Sequence, residues 1–161
     1  MLGALDLAVL RAFRTRGHTR GRERVVVAFS RLGEQALVWY ALCGVGALLD
    51  PANRAVYARA AKTVFGVYAC NQLIKVAVRR RRPRLEGLPP LAGTLSGLSY
   101  PSAHSATSFA AARMLSPALP AAPLYALAVS LGLSRLYLGL HYPSDIVAGG
   151  ALGAALAELA S

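Results

Sequence analysis

The stretch Met114–Ser134, MLSPALPAAPLYALAVSLGLS, decides the fold class, because its 21 residues include no Asp, Glu, Lys or Arg. About 20 apolar residues in a row are what an α-helix needs to cross the hydrocarbon core of a bilayer. The whole chain of 161 residues agrees: 55% is hydrophobic and 16% is charged, against roughly 25% charged in soluble domains. We therefore predict an all-α, multi-pass transmembrane helical bundle. A soluble bundle of buried helices is the alternative, and intrinsic disorder is excluded because so apolar a chain does not stay solvated.

Outward from this stretch, turn-forming residues divide the remaining apolar sequence into segments of helical length. Residues 50–53, DPAN, form a turn by composition, and Pro117, Pro120 and Pro143 mark further boundaries, since proline interrupts a helix. Several segments are short or carry a charge, so we predict about five spans, plus or minus one. The predicted spans are residues 35–49, 55–78, 102–116, 120–140 and 143–160.

Residues 1–31 form a basic amphipathic N-terminal segment, which we separate from a membrane-embedded domain at residues 32–161. Its positive charges follow the first apolar stretch instead of preceding it, which argues against a secretory signal. Apolar residues recur there at helical spacing, so we expect an amphipathic helix in the headgroup plane; a frayed basic tail is the alternative. The apolar positions are Leu2, Leu5, Val9 and Phe13, followed by Arg11, Arg14 and Arg16.

The positive charge of the chain is clustered. The formal net charge is +11, and the ten positions from Lys75 to Arg84 hold six of the 18 Lys and Arg residues. A nucleic-acid partner is not expected for a chain this apolar. If the predicted spans alternate in direction, the segments 78–84, 102–104 and 135–145 emerge on one face of the bundle, and this convergence predicts an active site there.

The residue types on that face fit phosphate chemistry. Arginine presents forked donors that match phosphate oxygens, and the free N–H groups of a helix beginning near Ser102 favour an anion. Asp145 would orient His141, so we predict His141 as the nucleophile and His104 as the general acid and base. Pro143 would begin the last helix, which places Asp145 in its first turn.

Several of these features also have a simpler explanation. The basic run could anchor lipid headgroups or set the topology, and Ser102 could be a helix cap. Arg135 resists such an explanation, because a lone guanidinium inside an apolar helix is costly. A metal site made of His104, His141 and Asp145 is disfavoured because the nearby cations repel a divalent ion. We expect no metal and no cofactor.

Three motifs resemble, in order and internal spacing, the signature of the type 2 phosphatidic acid phosphatase family, the lipid phosphate phosphatases. The resemblance runs from about Leu32 to the C-terminus. It implies a metal-independent integral membrane phosphatase with a phosphohistidine intermediate. The motifs are Lys75-x6-Arg82-Pro83, Pro101-Ser102-Ala103-His104 and Ser134-Arg135-x5-His141-x3-Asp145.

The resemblance also implies roles for single residues. It gives His104, His141 and Asp145 the catalytic roles stated above. Ala103 departs from the family, which usually has Gly there; the backbone N–H remains, but the methyl group narrows the approach to phosphate. Members usually have six spans, so this chain looks like one lacking the first. By likeness the phosphate-binding residues are Lys75, Arg82, Ser102, Ala103 and Arg135.

Short actinobacterial members of the family look most similar, which implies a polyprenyl-linked substrate such as decaprenylphosphoryl-5-phosphoribose in cell-wall precursor synthesis. Alternatives are a phosphatase of undecaprenyl diphosphate, phosphatidic acid or phosphatidylglycerophosphate, a vanadate-dependent oxidase and a non-catalytic membrane anchor. We expect a bacterial inner-membrane location among membrane lipids. The positive-inside rule places the basic face in the cytoplasm, whereas members that act on carrier lipids usually face outward, so the side stays open.

Two pairs of small residues bear on packing. Gly149 and Gly153 form a G-x-x-x-G pattern, which suits either close packing inside the bundle or dimerisation, so the oligomeric state stays open.

Cys43 and Cys70 fall in different predicted spans and at different depths, so we expect two packed thiols and no disulfide.

Overall fold

The computed structural model describes residues 2–161, apart from the Leu2 side chain, and this part of the chain folds into seven α-helices and two 3-10 turns. Within those residues the only β-pairing is two isolated bridges in the loop after the fourth helix, so the all-α prediction is confirmed. The helices are α1 (Leu2–Thr15), α2 (Arg20–Arg31), α3 (Leu37–Leu49), α4 (Arg54–Val78), α5 (Ala103–Leu115), α6 (Ala121–Tyr137) and α7 (Pro143–Leu159), and the 3-10 turns are Glu34–Ala36 and Pro51–Asn53.

The five predicted apolar segments are the five helices α3 to α7. Prolines stand at the boundaries where they were expected: the 3-10 turn Pro51–Asn53 separates α3 from α4, and Pro143 begins α7. The largest difference is at the end of α6, which stops at Tyr137 and not at residue 140. Gly139 has a φ of 73°, a left-handed conformation that commonly ends a helix.

Helix α5 lies at the centre of the bundle, where it contacts α4, α6 and α7. Its sequence, AHSATSFAAARML, is rich in Ala and Ser, whose small side chains let neighbouring helices approach closely. The buried Trp39 of α3 donates from Nε1 to Ser108 Oγ at 2.9 Å. Cys43 packs in the same core, Cys70 is half-buried, and both thiols are free as predicted.

Helix α7 packs against α5 through its two spaced glycines. A side-chain carbon at Gly149 would collide with the carbonyl oxygen of Ser102, and one at Gly153 would collide with that of Ala106. Close packing within the chain therefore accounts for the G-x-x-x-G pattern, which is the first of its two explanations.

The N-terminal segment is helical and docked, not frayed. Helix α1 lies against α6 and α7, and α2 lies against α6. The predicted helix is present in α1, but the face it turns towards the bundle is charged: Asp6 and Arg14 are buried beside Leu10, while Leu5 and Leu7 stay exposed. The polar contacts of Asp6 and Arg14, together with the buried Leu10, therefore attach α1 to the rest of the protein.

Taken singly, no helix within residues 2–161 has both the length and the apolar composition of a membrane span. Helix α2 and the segment 34–49 meet those two criteria only together, as a pair with a bend of 50° between them.

Candidate active site

The end of α4, the start of α5 and the turn between α6 and α7 meet at one end of the bundle around a cavity of about 320 Å³. The convergence expected from alternating helices is therefore present. Ser102 and Asp145 are fully buried and do not line the cavity. No three His, Cys, Asp or Glu side chains within residues 2–161 are grouped to hold a metal ion. The predicted site residues that do line the cavity are Lys75, Arg82, Ala103, His104, Arg135 and His141.

Three cations from different elements surround the cavity. Lys75 in the last turn of α4 and Arg135 in the last turn of α6 are each 4% exposed. Arg82 lies in the loop after α4, where its Nε donates to Ser96 O at 2.9 Å and its Nη1 donates to Leu140 O at 2.7 Å. Within the described residues no carboxylate forms an ion pair with any of the three. Because buried cations need an anionic partner, this arrangement fits a phosphate group in the cavity.

His141 lies between Arg82 and Asp145. Its Nδ1 is 3.4 Å from Asp145 Oδ2, and its Nε2 is 3.0 Å from Arg82 Nη1. Since the guanidinium only donates, Nε2 carries the lone pair and Nδ1 carries the proton that faces the carboxylate. Burial lowers the pKa of His141 well below 6.5, and the charge of Arg82 adds to this effect. The imidazole is therefore neutral, with its unprotonated Nε2 beside Arg82.

Asp145 reaches back to His141 from the first turn of α7, as predicted. Pro143 is the first residue of this helix. Asp145 Oδ2 accepts a hydrogen bond from the backbone N–H of Tyr142 at 2.9 Å, an arrangement typical of a helix N-terminus. Its other oxygen, Oδ1, accepts from Arg80 Nη1 at 2.8 Å. The carboxylate is thus held at both oxygens.

His104 lines the cavity from the first turn of α5, and α2 holds its ring. Its Nε2 is 3.0 Å from the carbonyl oxygen of Ser30. Because a carbonyl only accepts, Nε2 carries a proton and Nδ1 is the nitrogen left for proton transfer. Gly33 packs on the ring so closely that a side-chain carbon there would lie 2.6 Å from His104 Cδ2.

Ser102 caps α5 and does not face the cavity. Its Oγ accepts from the backbone N–H of Ser105 at 3.4 Å, and its own N–H donates to Asp145 O at 3.0 Å. In this structure the Ser102 side chain is therefore a helix cap, which is the simpler of the two explanations given for it. Ala103, the next residue, is the one at the cavity wall.

The end of α2 and the connection to α3 contribute to the site in a way that the sequence did not predict. Ser30 Oγ accepts from Arg135 Nη1 at 2.8 Å, so this serine holds Arg135 with its hydroxyl and His104 with its carbonyl group. Glu34 and Gln35 line the cavity, and Gln35 has a φ of 50°, which is uncommon for a residue other than glycine. The polar pair Glu34 and Gln35, which stands between two apolar segments, was the one sequence signal for this part of the site. The contact of Ser30 with Arg135 has no such signal, because the two residues are 105 positions apart.

Comparison with known sequences gives one family. Residues 56–161 match the sequence profile of the PAP2 superfamily. The chain is 43% identical over 123 residues to the decaprenylphosphoryl-5-phosphoribose phosphatase of Mycolicibacterium smegmatis, and the match covers 76% of this chain and 68% of that protein. It is 40% identical over 91 residues to the lipid A 1-phosphatase of Rhizobium johnstonii, covering 51% of this chain and 37% of that protein.

Two solved structures share the fold. The transmembrane PAP2-type phosphatidylglycerolphosphate phosphatase of Bacillus subtilis superposes with a TM-score of 0.78 at 24% identity, over 98% of this chain and 83% of that chain. LpxE of Aquifex aeolicus superposes with a TM-score of 0.76 at 20% identity, over 97% of this chain and 94% of that chain. At these identities the likeness concerns the arrangement of the helices.

Proposed function

The chain belongs to the PAP2 superfamily and is a phosphatase, and we propose that it hydrolyses the phosphomonoester of a lipid phosphate through a phosphohistidine intermediate. His141 carries this proposal: it is a buried, neutral imidazole whose Nε2 lies beside Arg82 and whose Nδ1 faces Asp145. The three cations around the cavity support a phosphate dianion as the bound group.

In the first step, Nε2 of His141 bonds to phosphorus while the bond from phosphorus to the alkoxide oxygen of the lipid breaks. Asp145 stabilises the imidazolium that forms. His104 enters this step as an imidazolium, with one proton on Nε2 held by Ser30 O and the other on Nδ1. The departing alkoxide takes the Nδ1 proton. The three cations offset the charge that spreads over the remaining phosphate oxygens.

In the second step, a water molecule attacks phosphorus and the bond to His141 Nε2 breaks. Nδ1 of His104, which gave up its proton in the first step, accepts one from the attacking water. Inorganic phosphate then leaves, and both rings return to their starting protonation states. The same two imidazoles therefore serve both halves of the reaction.

We place the protein in the bacterial inner membrane as a multi-pass protein of about five spans, α3 to α7, with residues 1–31 as a basic segment beside the membrane-embedded domain 32–161. Large apolar side chains exposed on the outer faces of these helices support this placement, since extended apolar surface is rare on soluble monomers. They include Val45, Leu48, Leu49, Phe65, Leu73, Val129, Leu133 and Val147.

The proposed substrate is a polyprenyl-linked sugar phosphate such as decaprenylphosphoryl-5-phosphoribose. The 43% identity to the Mycolicibacterium smegmatis phosphatase supports this class of lipid. One part of the cavity lining also supports it: Glu34, Gln35, Tyr68 and Gln72 line the cavity together with the cations. Carboxylate, amide and phenol groups beside a phosphate site suit the hydroxyl groups of a sugar.

The test is phosphate release by the purified protein in detergent. The panel contains decaprenylphosphoryl-5-phosphoribose, a polyprenyl monophosphate, undecaprenyl diphosphate and phosphatidic acid, and we expect the highest kcat/KM with the first. His141→Ala should lower kcat by about 1,000-fold or more, as loss of a nucleophile does. Arg79→Gln, an exposed change outside the cavity, is the control. A preference for another lipid would overturn the substrate, and an active His141→Ala enzyme would overturn the mechanism.

A further inference from the structure

Arg80 belongs to the basic run after α4, yet it does not line the cavity. Its Nη1 donates to Asp145 Oδ1 at 2.8 Å and to Ser144 Oγ at 2.6 Å, and its Nη2 donates to Asp6 Oδ2 at 2.8 Å. The guanidinium carbon also lies 4.1 Å from the centroid of the Tyr142 ring, within the range of a cation–π contact. One side chain thus joins α1 to the first turn of α7.

Asp6 is the other carboxylate of this cluster and is 4% exposed. It accepts from the backbone N–H of Ser144 at 2.9 Å and from Ser144 Oγ at 2.5 Å. Burial alone would raise the pKa of Asp6, but the hydrogen bonds from Ser144 and Arg80 outweigh it and lower the pKa. Asp6 is therefore ionised at neutral pH and pairs with Arg80.

The cluster determines which oxygen of Asp145 faces His141. Oδ1 is taken by Arg80, and Oδ2 is left for the Tyr142 backbone N–H and the Nδ1 side of His141. Without Arg80, Oδ1 would lose its hydrogen bond and only the contacts of Oδ2 would orient the carboxylate, whereas short charge-assisted bonds at both oxygens fix its orientation. Orientation matters because a misplaced carboxylate does not hold the imidazole in its reactive tautomer.

The charges of the cluster favour the same role. Arg80 on its own would neutralise Asp145 and weaken its stabilisation of the imidazolium that forms on His141. Asp6 shares the guanidinium through Nη2, so Asp6, Arg80 and Asp145 together carry a formal charge of −1. Asp6 therefore lets Arg80 fix the position of Asp145 without cancelling its charge.

We propose that Asp6 and Arg80 are positioning residues for the phosphatase reaction, acting on His141 through Asp145. This inference rests on the function proposed above, in which His141 attacks phosphorus. It makes α1 a functional part of the active site, because α1 supplies the second carboxylate of the cluster. Neither residue touches the substrate.

The test compares Asp6→Asn, Arg80→Gln and Arg80→Lys with the unsubstituted protein, using the lipid on which that protein is most active. We expect Asp6→Asn and Arg80→Gln to lower kcat by about 10-fold or more, the loss typical when an outer hydrogen-bond partner of a functional group is removed, with KM changed by less than about twofold. Arg80→Lys should recover part of the loss, because an ammonium ion keeps the charge but not the fork. The matched controls are Arg79→Gln in the same basic run and Arg11→Gln on the exposed face of α1.

A second measurement separates positioning from a merely structural role. In an Asp145→Asn background, Arg80→Gln should change kcat by less than about twofold, because residues that act through one another are not additive. A structural role would instead lower kcat by the same factor in both backgrounds and would overturn the inference, as would full activity in Asp6→Asn and Arg80→Gln. An active His141→Ala enzyme would overturn the proposed function itself, so the two failures are distinguishable.

Discussion

At the scale of single residues, two histidines of the site are made different by what surrounds them. His141 presents an unprotonated Nε2 to Arg82, whereas His104 donates its Nε2 proton to Ser30 O. The same side chain therefore offers a lone pair at Nε2 in one place and an uncommitted Nδ1 in the other, which suits the proposed nucleophile and the proposed acid and base. Environment, and not residue type, separates the two proposed roles.

The third histidine shows what a histidine outside the site looks like here. His18 stacks on Tyr137 with ring centroids 4.0 Å apart, and its Nδ1 lies 3.1 Å from Glu23 Oε1. These contacts fasten the connection between α1 and α2 to the end of α6. His18 lies outside the three sequence motifs, and it does not line the cavity.

The pH dependence of the reaction follows from the surroundings of His141. The neutral ring is the reactive form, and burial followed by the charge of Arg82 lowers its pKa. Because the pKa is lowered, the ring stays neutral as the pH falls below 6.5, and the acidic limb of kcat/KM that belongs to His141 lies below that value. We expect Arg82→Gln to raise the pKa of His141 and to move this limb to higher pH.

The measurement is kcat/KM against pH for both proteins with one substrate, so that the ionisation of the substrate's own phosphate, near pH 6, contributes equally. Arg79→Gln removes a nearby exposed charge and should leave the limb where it is. A limb that stays in place in Arg82→Gln would contradict the assigned cause.

At the scale of helices, much of the fold was predictable because neighbouring residues in the sequence determine where each helix begins and ends. Charged residues and prolines divide the apolar sequence, and the helices α4, α5 and α7 begin or end within a residue of the predicted bounds. The docking of α1 was not predictable in this way. Its buried face is chosen by Asp6, whose partners Arg80 and Ser144 lie 74 and 138 residues away, and no local pattern encodes such a contact.

The residues of the site likewise fall into those that local sequence predicts and those that depend on distant contacts. Motif residues such as His104 and His141 were predictable because they interrupt apolar segments whose ends must meet on one face. Ser30 was not, because its role arises from a hydroxyl and a carbonyl group that contact α6 and α5 after folding. Ser102 caps α5, and its contact with phosphate stays a prediction, because a serine at the start of a helix serves either purpose equally well from sequence.

The close packing of α7 on α5 leads to a prediction at the helix scale. Gly153→Ala would push a methyl group against the Ala106 carbonyl oxygen, and we expect it to lower the free energy of unfolding by about 1–3 kcal/mol. Gly44→Ala in α3 is the matched control, since nothing lies within 4 Å of its added carbon, and it should stabilise that helix by up to about 1 kcal/mol. Thermal unfolding in detergent measures both, and equal melting temperatures for the two variants would contradict the packing argument.

At the scale of the whole molecule, the N-terminal segment and the helical bundle form the site together. Helix α2 fixes His104 through Ser30, and α1 contacts Arg80 through Asp6. The proposed boundary between residues 31 and 32 therefore separates two regions of different composition that share one active site. A movement of α2 would reach His104 through Ser30, and a movement of α1 would reach His141 through Arg80 and Asp145.

The charge of the molecule predicts which side of the membrane the site faces. The connection between α1 and α2 contacts Tyr137 at the site end of α6, so we expect the arginines of residues 11–31 at the same end as the basic run after α4. The positive-inside rule places that end in the cytoplasm. The test introduces single cysteines into a Cys43→Ala, Cys70→Ala background: Pro90→Cys in the exposed loop at the site end, and Ala52→Cys in the exposed turn at the opposite end. With a membrane-impermeant maleimide on intact bacteria, we expect Ala52→Cys to be labelled and Pro90→Cys to react only after permeabilisation. The reverse pattern would place phosphate release outside the cytoplasm and would mean that the basic cluster serves the phosphate and not the topology.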